Sequence, residues 1–205
     1  DPTLILWRSS SQWVGGLYFL TFLVLFFTND QFNYKLNNLV FNNFRDLYRE
    51  TNIYKTFIKL FFLYAFLTIL IFIFFTASNI RLFDGLNLSM TIISAGGFLP
   101  TNSLNQIIKN NTQEIVLAVS YFLSIFNIFL IFNIFSKKNI IKDHYEDCCL
   151  FILVLCLTIL SSFMLKDLNT LDNLLNVLSS VANSGLSKNV IQDNYSIFFL
   201  FLTIV

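Results

Sequence analysis

Residues 84–98 read DGLNLSMTIISAGGF, and residues 172–186 read DNLLNVLSSVANSGL. Set in register, Asp84 lies on Asp172, Leu86 on Leu174, Thr91 on Ser179, Ile93 on Val181 and Gly97 on Gly185. Each stretch is a short apolar segment led by an acid and closed by small residues and a glycine. Neither is long enough to cross ~30 Å of hydrocarbon, which takes roughly 20 apolar residues in a helix. At ~1.5 Å rise per residue such a segment reaches about halfway. Length alone leaves two readings open: a helix lying flat at the membrane interface, or a re-entrant helix that dips in and returns. The repeat decides for the second. In the same register the apolar run Phe61–Phe75 falls on Cys149–Phe163. The order spanning helix, Asp-led short helix, small polar residues, glycine, apolar helix therefore recurs, and internal repeats of this kind build many transporters.

The rest of the chain agrees with a membrane setting. Of 205 residues, 56% are hydrophobic and 12% charged. Mean hydropathy is +0.67. A soluble domain carries roughly twice that share of charge. Trp13–Phe27, Phe61–Phe75, Ile115–Phe135 and Cys148–Leu165 are apolar with few interruptions, and Tyr195–Val205 begins another such run. The expected fold class is an all-α polytopic membrane protein built from helix–pore loop–helix repeats. The chain opens on Asp1 and stops inside the last apolar run, so both ends read as cuts in a longer protein.

Charge sorts the connections. Asn29–Lys55 carries Lys35, Arg45, Arg49 and Lys55, and Ser136–Asp147 carries Lys137, Lys138 and Lys142. Ser78–Gln113 holds Arg81 and Lys109, and Lys166–Asp193 holds Lys166 and Lys188. The richer pair is expected in the cytoplasm, which turns both short apolar segments outward.

A net charge of +1 implies no nucleic-acid partner. Cys148, Cys149 and Cys156 sit in an apolar run, with neither a disulfide framework nor a zinc spacing. His144 stands alone in a polar stretch. Glu114 and Asp147 lie at the ends of apolar runs, and no carboxylate lies centrally in one, so no enzyme constellation is present. No cofactor and no bound metal beyond a transported ion are expected.

The chemistry concentrates after each short segment. Asp84 reads as an N-cap whose carboxylate takes free N–H groups. The opposite end of that helix then presents its partial negative charge to a cation. Gly97 admits φ values closed to other residues, which lets neighbouring carbonyls turn to one axis and replace an ion's water shell. The expected cation-binding residues are Ser94, Ala95, Gly96 and Gly97, and in the second copy Ala182, Asn183, Ser184 and Gly185. Arg8, Gly15, Gly16 and Asn127 are open to two roles, lining the pore or packing helices. Ser120 and Ser124 share the helical side of Asn127.

These residues carry a family resemblance. Residues 7–16, WRSSSQWVGG, resemble the W-R-x-x-x-Q-W-L-G-G that follows the first pore loop in the Trk/Ktr/HKT superfamily of potassium transporters. Ser94–Phe98 resembles its second filter, a small or hydroxyl residue followed by G-G-F-S. Ser179–Ser187 resembles its third, S-x-x-T-T-A-G-F-T. Ser124–Asn127 is similar to the G-G-x-N of the second repeat's closing helix. Departures stand at Tyr18, Leu99, Ile125, Phe126, Asn183 and Leu186.

The resemblance implies four helix–pore loop–helix repeats around one cation path. Residues 1–28 would close repeat one, 56–136 form repeat two and 148–205 most of repeat three, with cytoplasmic linkers at 29–55 and 137–147. It implies K+ transport, with Na+ the alternative ion, across a bacterial inner (plasma) membrane. The implied partners are the lipid bilayer, a second copy in a homodimer, and a cytosolic nucleotide-binding regulatory subunit. The competing reading is a non-conducting accessory subunit of the same fold.

Overall fold

The computed structural model describes residues 1–28, 53–125, 145–164 and 169–188. They form α1 (Pro2–Thr28), α2 (Ile53–Ala77), α3 (Leu82–Ile93), α4 (Asn111–Ile125), α5 (Tyr145–Met164) and α6 (Thr170–Val181). One 3-10 turn, Leu104–Gln106, lies before α4, and no strand is present among the described residues. Asn127, His144, the two linkers expected in the cytoplasm, apart from their helical ends, and the run Tyr195–Val205 lie outside the described residues. α2 starts at Ile53 and α5 at Tyr145, so each helix takes the last residues of the stretch read as a linker.

The repeat is reproduced in the helices. α3 and α6 have the same length of 12 residues and identical bounds in the register that sets Gly97 on Gly185. α3 packs against α1, α2 and α4, and α6 packs against α4 and α5. α4 therefore touches both short helices and joins the two halves.

α2 shows how these helices solve their surroundings. Leu60, Tyr64, Leu67, Ile71 and Phe75 are buried, at spacings of three and four that make one stripe. Phe62, Phe66, Ile69 and Ile73 make the opposite stripe, and they are exposed. A helix apolar on both faces meets hydrocarbon or protein on both. α2 is also the one helix among the described residues long and apolar enough to cross a membrane, with a mean hydropathy of 2.6 over Phe57–Ala77. Ile152, Ile159 and Phe163 give α5 a similar exposed face.

The interior pairs an apolar cluster, with Phe75, Leu88, Ile92, Leu117 and Leu178, with many buried polar groups. Asn87, Ser89 and Thr91 of α3 and Asn173, Asn176, Ser179 and Ser180 of α6 are all buried. They spend part of their hydrogen-bonding capacity locally, as in Asn87 Nδ2 to the Phe83 carbonyl at 2.7 Å and Ser180 Oγ to the Asn176 carbonyl at 2.7 Å. Asn173 Nδ2 reaches across to Ser162 Oγ of α5 at 2.9 Å.

Residues 79–112 leave and return at one end of the bundle. Gln113 Nε2, in the first turn of α4, donates to the Ser78 carbonyl at the end of α2 at 3.1 Å. Its Oε1 accepts from the backbone N–H of Lys109 at 2.8 Å and holds the returning chain. Between these points α3 runs ~18 Å at 1.5 Å per residue. Its far end, Ser94, lies against Gly16 near the middle of α1, where the Tyr64 hydroxyl from the middle of α2 also comes close to Gly16.

Candidate functional site

α3 and α6 end in the same way. Gly96 N–H donates to the Thr91 carbonyl at 2.8 Å and Ala95 N–H to Ile92 at 3.2 Å. In the second copy Ser184 N–H donates to Ser179 at 3.0 Å and Asn183 N–H to Ser180 at 3.0 Å. These paired bonds form a Schellman cap, which needs a left-handed residue just past the helix. That residue is Ala95, with φ 52°, and Asn183, with φ 54°. The exposure pattern also repeats: Ala95 and Gly97 are exposed around a buried Gly96, and Asn183 and Gly185 around a buried Ser184. Among the described residues no hydrogen bond reaches the carbonyls of residues 94–97 or 182–185.

Two expectations need correction here. Asp84 and Asp172 are not N-caps. Arg81 and Asn169 hold those positions without a side-chain bond, and each Asp is the third residue of its helix. A buried carboxylate there complements the helix dipole instead of capping it. Gly97 does not use a positive φ; of the glycines only Gly185 does, at 63°. The left-handed step in the first copy falls on Ala95, because the cap demands it two residues earlier.

Gly97 is needed for space. A Cβ there would stand 2.8 Å from the Ser184 carbonyl oxygen, so the two turns lie directly against each other. Among the described residues Gly185 has nothing within 4 Å of an added Cβ, and the constraint visible there is conformational. The turns are tied down differently as well. Thr91 Oγ1 donates forward to the Phe98 carbonyl at 3.0 Å in the first copy. Ser184 Oγ donates back to the Ser179 carbonyl at 3.1 Å in the second.

α1 lies along the first turn like a comb. The Arg8 guanidinium stacks over the Phe98 ring at 4.0 Å. The Gln12 amide fills the place of a Gly96 side chain, and a Cβ at Gly16 would stand 3.0 Å from Ser94 Cβ and 2.7 Å from the Tyr64 hydroxyl. Arg8, Gln12 and Gly16 are each four apart, one turn of one face, and meet Phe98, Gly96 and Ser94 in reverse order. Trp13 Nε1 donates to Thr68 Oγ1 at 2.9 Å, and Tyr64 Oη donates to the Trp13 carbonyl at 3.2 Å, fastening α1 to α2. Gly15 takes no part, with nothing within 4 Å of an added Cβ.

Sequence reasoning missed an ionic cluster at the outer end of α6. Lys188, three residues past Gly185, bonds Glu114 Oε1 in the first turn of α4 and lies 3.7 Å from Asp172 Oδ1 in the first turn of α6. The side chains of Lys188, Glu114 and Asp172 are 20%, 7% and 9% exposed. The hydrogen bond that the Lys188 ammonium donates to Glu114, with the Asp172 charge behind it, raises the Lys188 pKa above the ordinary lysine value against the opposing effect of burial. A basic residue soon after a glycine turn, in a chain so poor in charge, was the available signal. Among the described residues no group of His, Cys, Asp and Glu could hold a metal ion.

No protein-family model and no curated protein matches this chain. The crystal structure of the potassium transporter TrkH from Vibrio parahaemolyticus does match in fold, with a TM-score of 0.77 and 17% identity over 98% of this chain. The chain spans 43% of the length of that transporter. Apolar outward faces, two short helices with polar buried sides and a repeated glycine turn are thus joined to an independent likeness: this chain has the all-helical, polytopic fold of the Trk-type potassium transporters.

Proposed function

We propose that this chain forms part of a transmembrane path for a monovalent cation, with K+ the favoured ion. The two capped turns, 94–97 and 182–185, would supply backbone carbonyls to that path. One observation carries the reading: the turns share their cap, their left-handed step and their exposure pattern, and they touch at Gly97 and Ser184. Carbonyls without a donor among the described residues, at the C-terminal ends of two helices, are the groups that replace a cation's hydration shell. Irregular backbone at that depth is tolerable where it is buried in protein or lines water. In this reading α3 and α6 are re-entrant pore helices, and the apolar outer faces meet lipid in a bacterial inner membrane. The homodimer and the cytosolic nucleotide-binding regulator rest on the family resemblance.

The test is K+ uptake in transport-deficient cells by the protein expressed from its complete gene. Gly97→Ser and Gly185→Ser should each lower uptake or relax selectivity against Na+. Gly15→Ser, placed in open space, should do neither. Unchanged uptake and selectivity in all three would leave the accessory-subunit reading in front.

A further inference from the structure

We infer that Lys188 is a positioning residue for the second turn: its ammonium, shared by Glu114 and Asp172, latches the chain leaving Gly185 to the outer ends of α4 and α6. The inference rests on the transport reading above. The first turn has a helix packed along it, since α1 reaches it through Arg8, Gln12 and Gly16. Gly185, by contrast, has no described residue within 4 Å of an added Cβ. The strand leaving it is held where Lys188 meets two carboxylates from two helices, one in each repeat. That makes the ionic cluster the counterpart of the packed comb.

The charges are arranged to hold. One ammonium faces two carboxylates, an excess of one negative charge. Both carboxylates lie in the first turn of a helix, where the partial positive charge of the dipole offsets that excess. Exposures of 20%, 7% and 9% leave little room for water to screen the pairs. Removing the ammonium takes from Glu114 its hydrogen-bonded cation and from Asp172 a nearby one, the costly half of a broken buried pair. Since Asp172 lies in the first turn of α6 and Lys188 follows its turn, loss of the latch frees the loop that carries residues 182–185 at its far end.

The experiment is a charge-deletion series in the protein from its complete gene, read as K+/Na+ selectivity and as melting temperature in detergent. Lys188→Met and Glu114→Gln should each lower selectivity about tenfold, the effect of breaking a coupled buried pair. Lys188→Arg, which keeps a cation beside both carboxylates, should retain most of it, and Lys188→Met and Glu114→Gln should be non-additive in melting temperature. Additive melting shifts, or an arginine variant as poor as Lys188→Met, overturn the latch. Coupled melting with selectivity unchanged in every variant overturns the positioning role. If the wild-type protein moves no cation, the transport reading falls by itself. The latch is then judged by alkylation of Ser187→Cys in a background with Cys148, Cys149 and Cys156 replaced by Ser. Faster labelling after Lys188→Met supports it, and an unchanged rate overturns it.

Discussion

The two turns that end α3 and α6 have one backbone and two ways of keeping it. The first is held by packing. α1 fills the space beside it, so its glycines supply room, and the left-handed step falls on an alanine. The second stands open. Its glycine supplies a φ of 63°, its left-handed step falls on asparagine, and the strand beyond is held by charge. A repeated backbone therefore does not imply a repeated reason for each residue in it. Where a neighbour presses close, glycine is selected for what it lacks. Where nothing presses, glycine is selected for how it bends.

The largest test of that contrast exchanges alanine and asparagine at the two glycines. Gly97→Ala and Gly97→Asn should be equally damaging, because any Cβ meets the Ser184 carbonyl at 2.8 Å and a backbone oxygen cannot swing aside. Gly185→Ala should cost about 1–2 kcal/mol for a left-handed alanine, while Gly185→Asn should be visibly milder because asparagine tolerates that conformation. Uptake assays and melting in detergent read both. Rescue by asparagine at Gly97, or none at Gly185, would break the distinction between room and bend.

A smaller effect is expected one step back in each cap. Ala95→Asn should raise stability by about 1 kcal/mol by relieving the left-handed alanine, and Asn183→Ala should lower it by a similar amount. Opposite shifts in melting temperature confirm that both positions obey the same cap. The smallest effect belongs to the comb. Arg8→Leu removes the cation–π contact with Phe98, worth about 0.5–1 kcal/mol at a partly exposed site. Arg8→Lys should retain part of it. A loss several times larger would mean that Arg8 does more than brace the first turn.

Much of the fold was legible because a repeat is a statement about backbone, and backbone is what the register aligned. The bounds of α3 and α6 follow it residue for residue. The roles within the turns were less legible. Ala95 carries no sequence mark of a left-handed conformation, so the demand was assigned to the nearest glycine. Arg8, Gln12 and Gly16 could be placed on one face by their spacing, but their partners lie some 80 residues away and no local pattern names them. The Lys188 cluster joins three segments, and only folding brings Glu114 within reach. The acids at Asp84 and Asp172 are marked by the register, but their role is not, since the N-caps fall three residues before each acid.

The outward face of the helices has a consequence for inheritance. Among the described phenylalanines only Phe75 is fully buried, while Phe62, Phe66, Phe151 and Phe163 point away from the protein. A surface that has only to be greasy fixes the class of a residue and leaves its identity free. Such positions can follow the nucleotide bias of a genome, and phenylalanines such as Phe62, Phe66 and Phe163 accumulate there without filling the core. Identity is then constrained where helices and turns touch, as at Gln12, Gly16 and Gly97. A fold can accordingly be shared with a solved transporter at 17% identity.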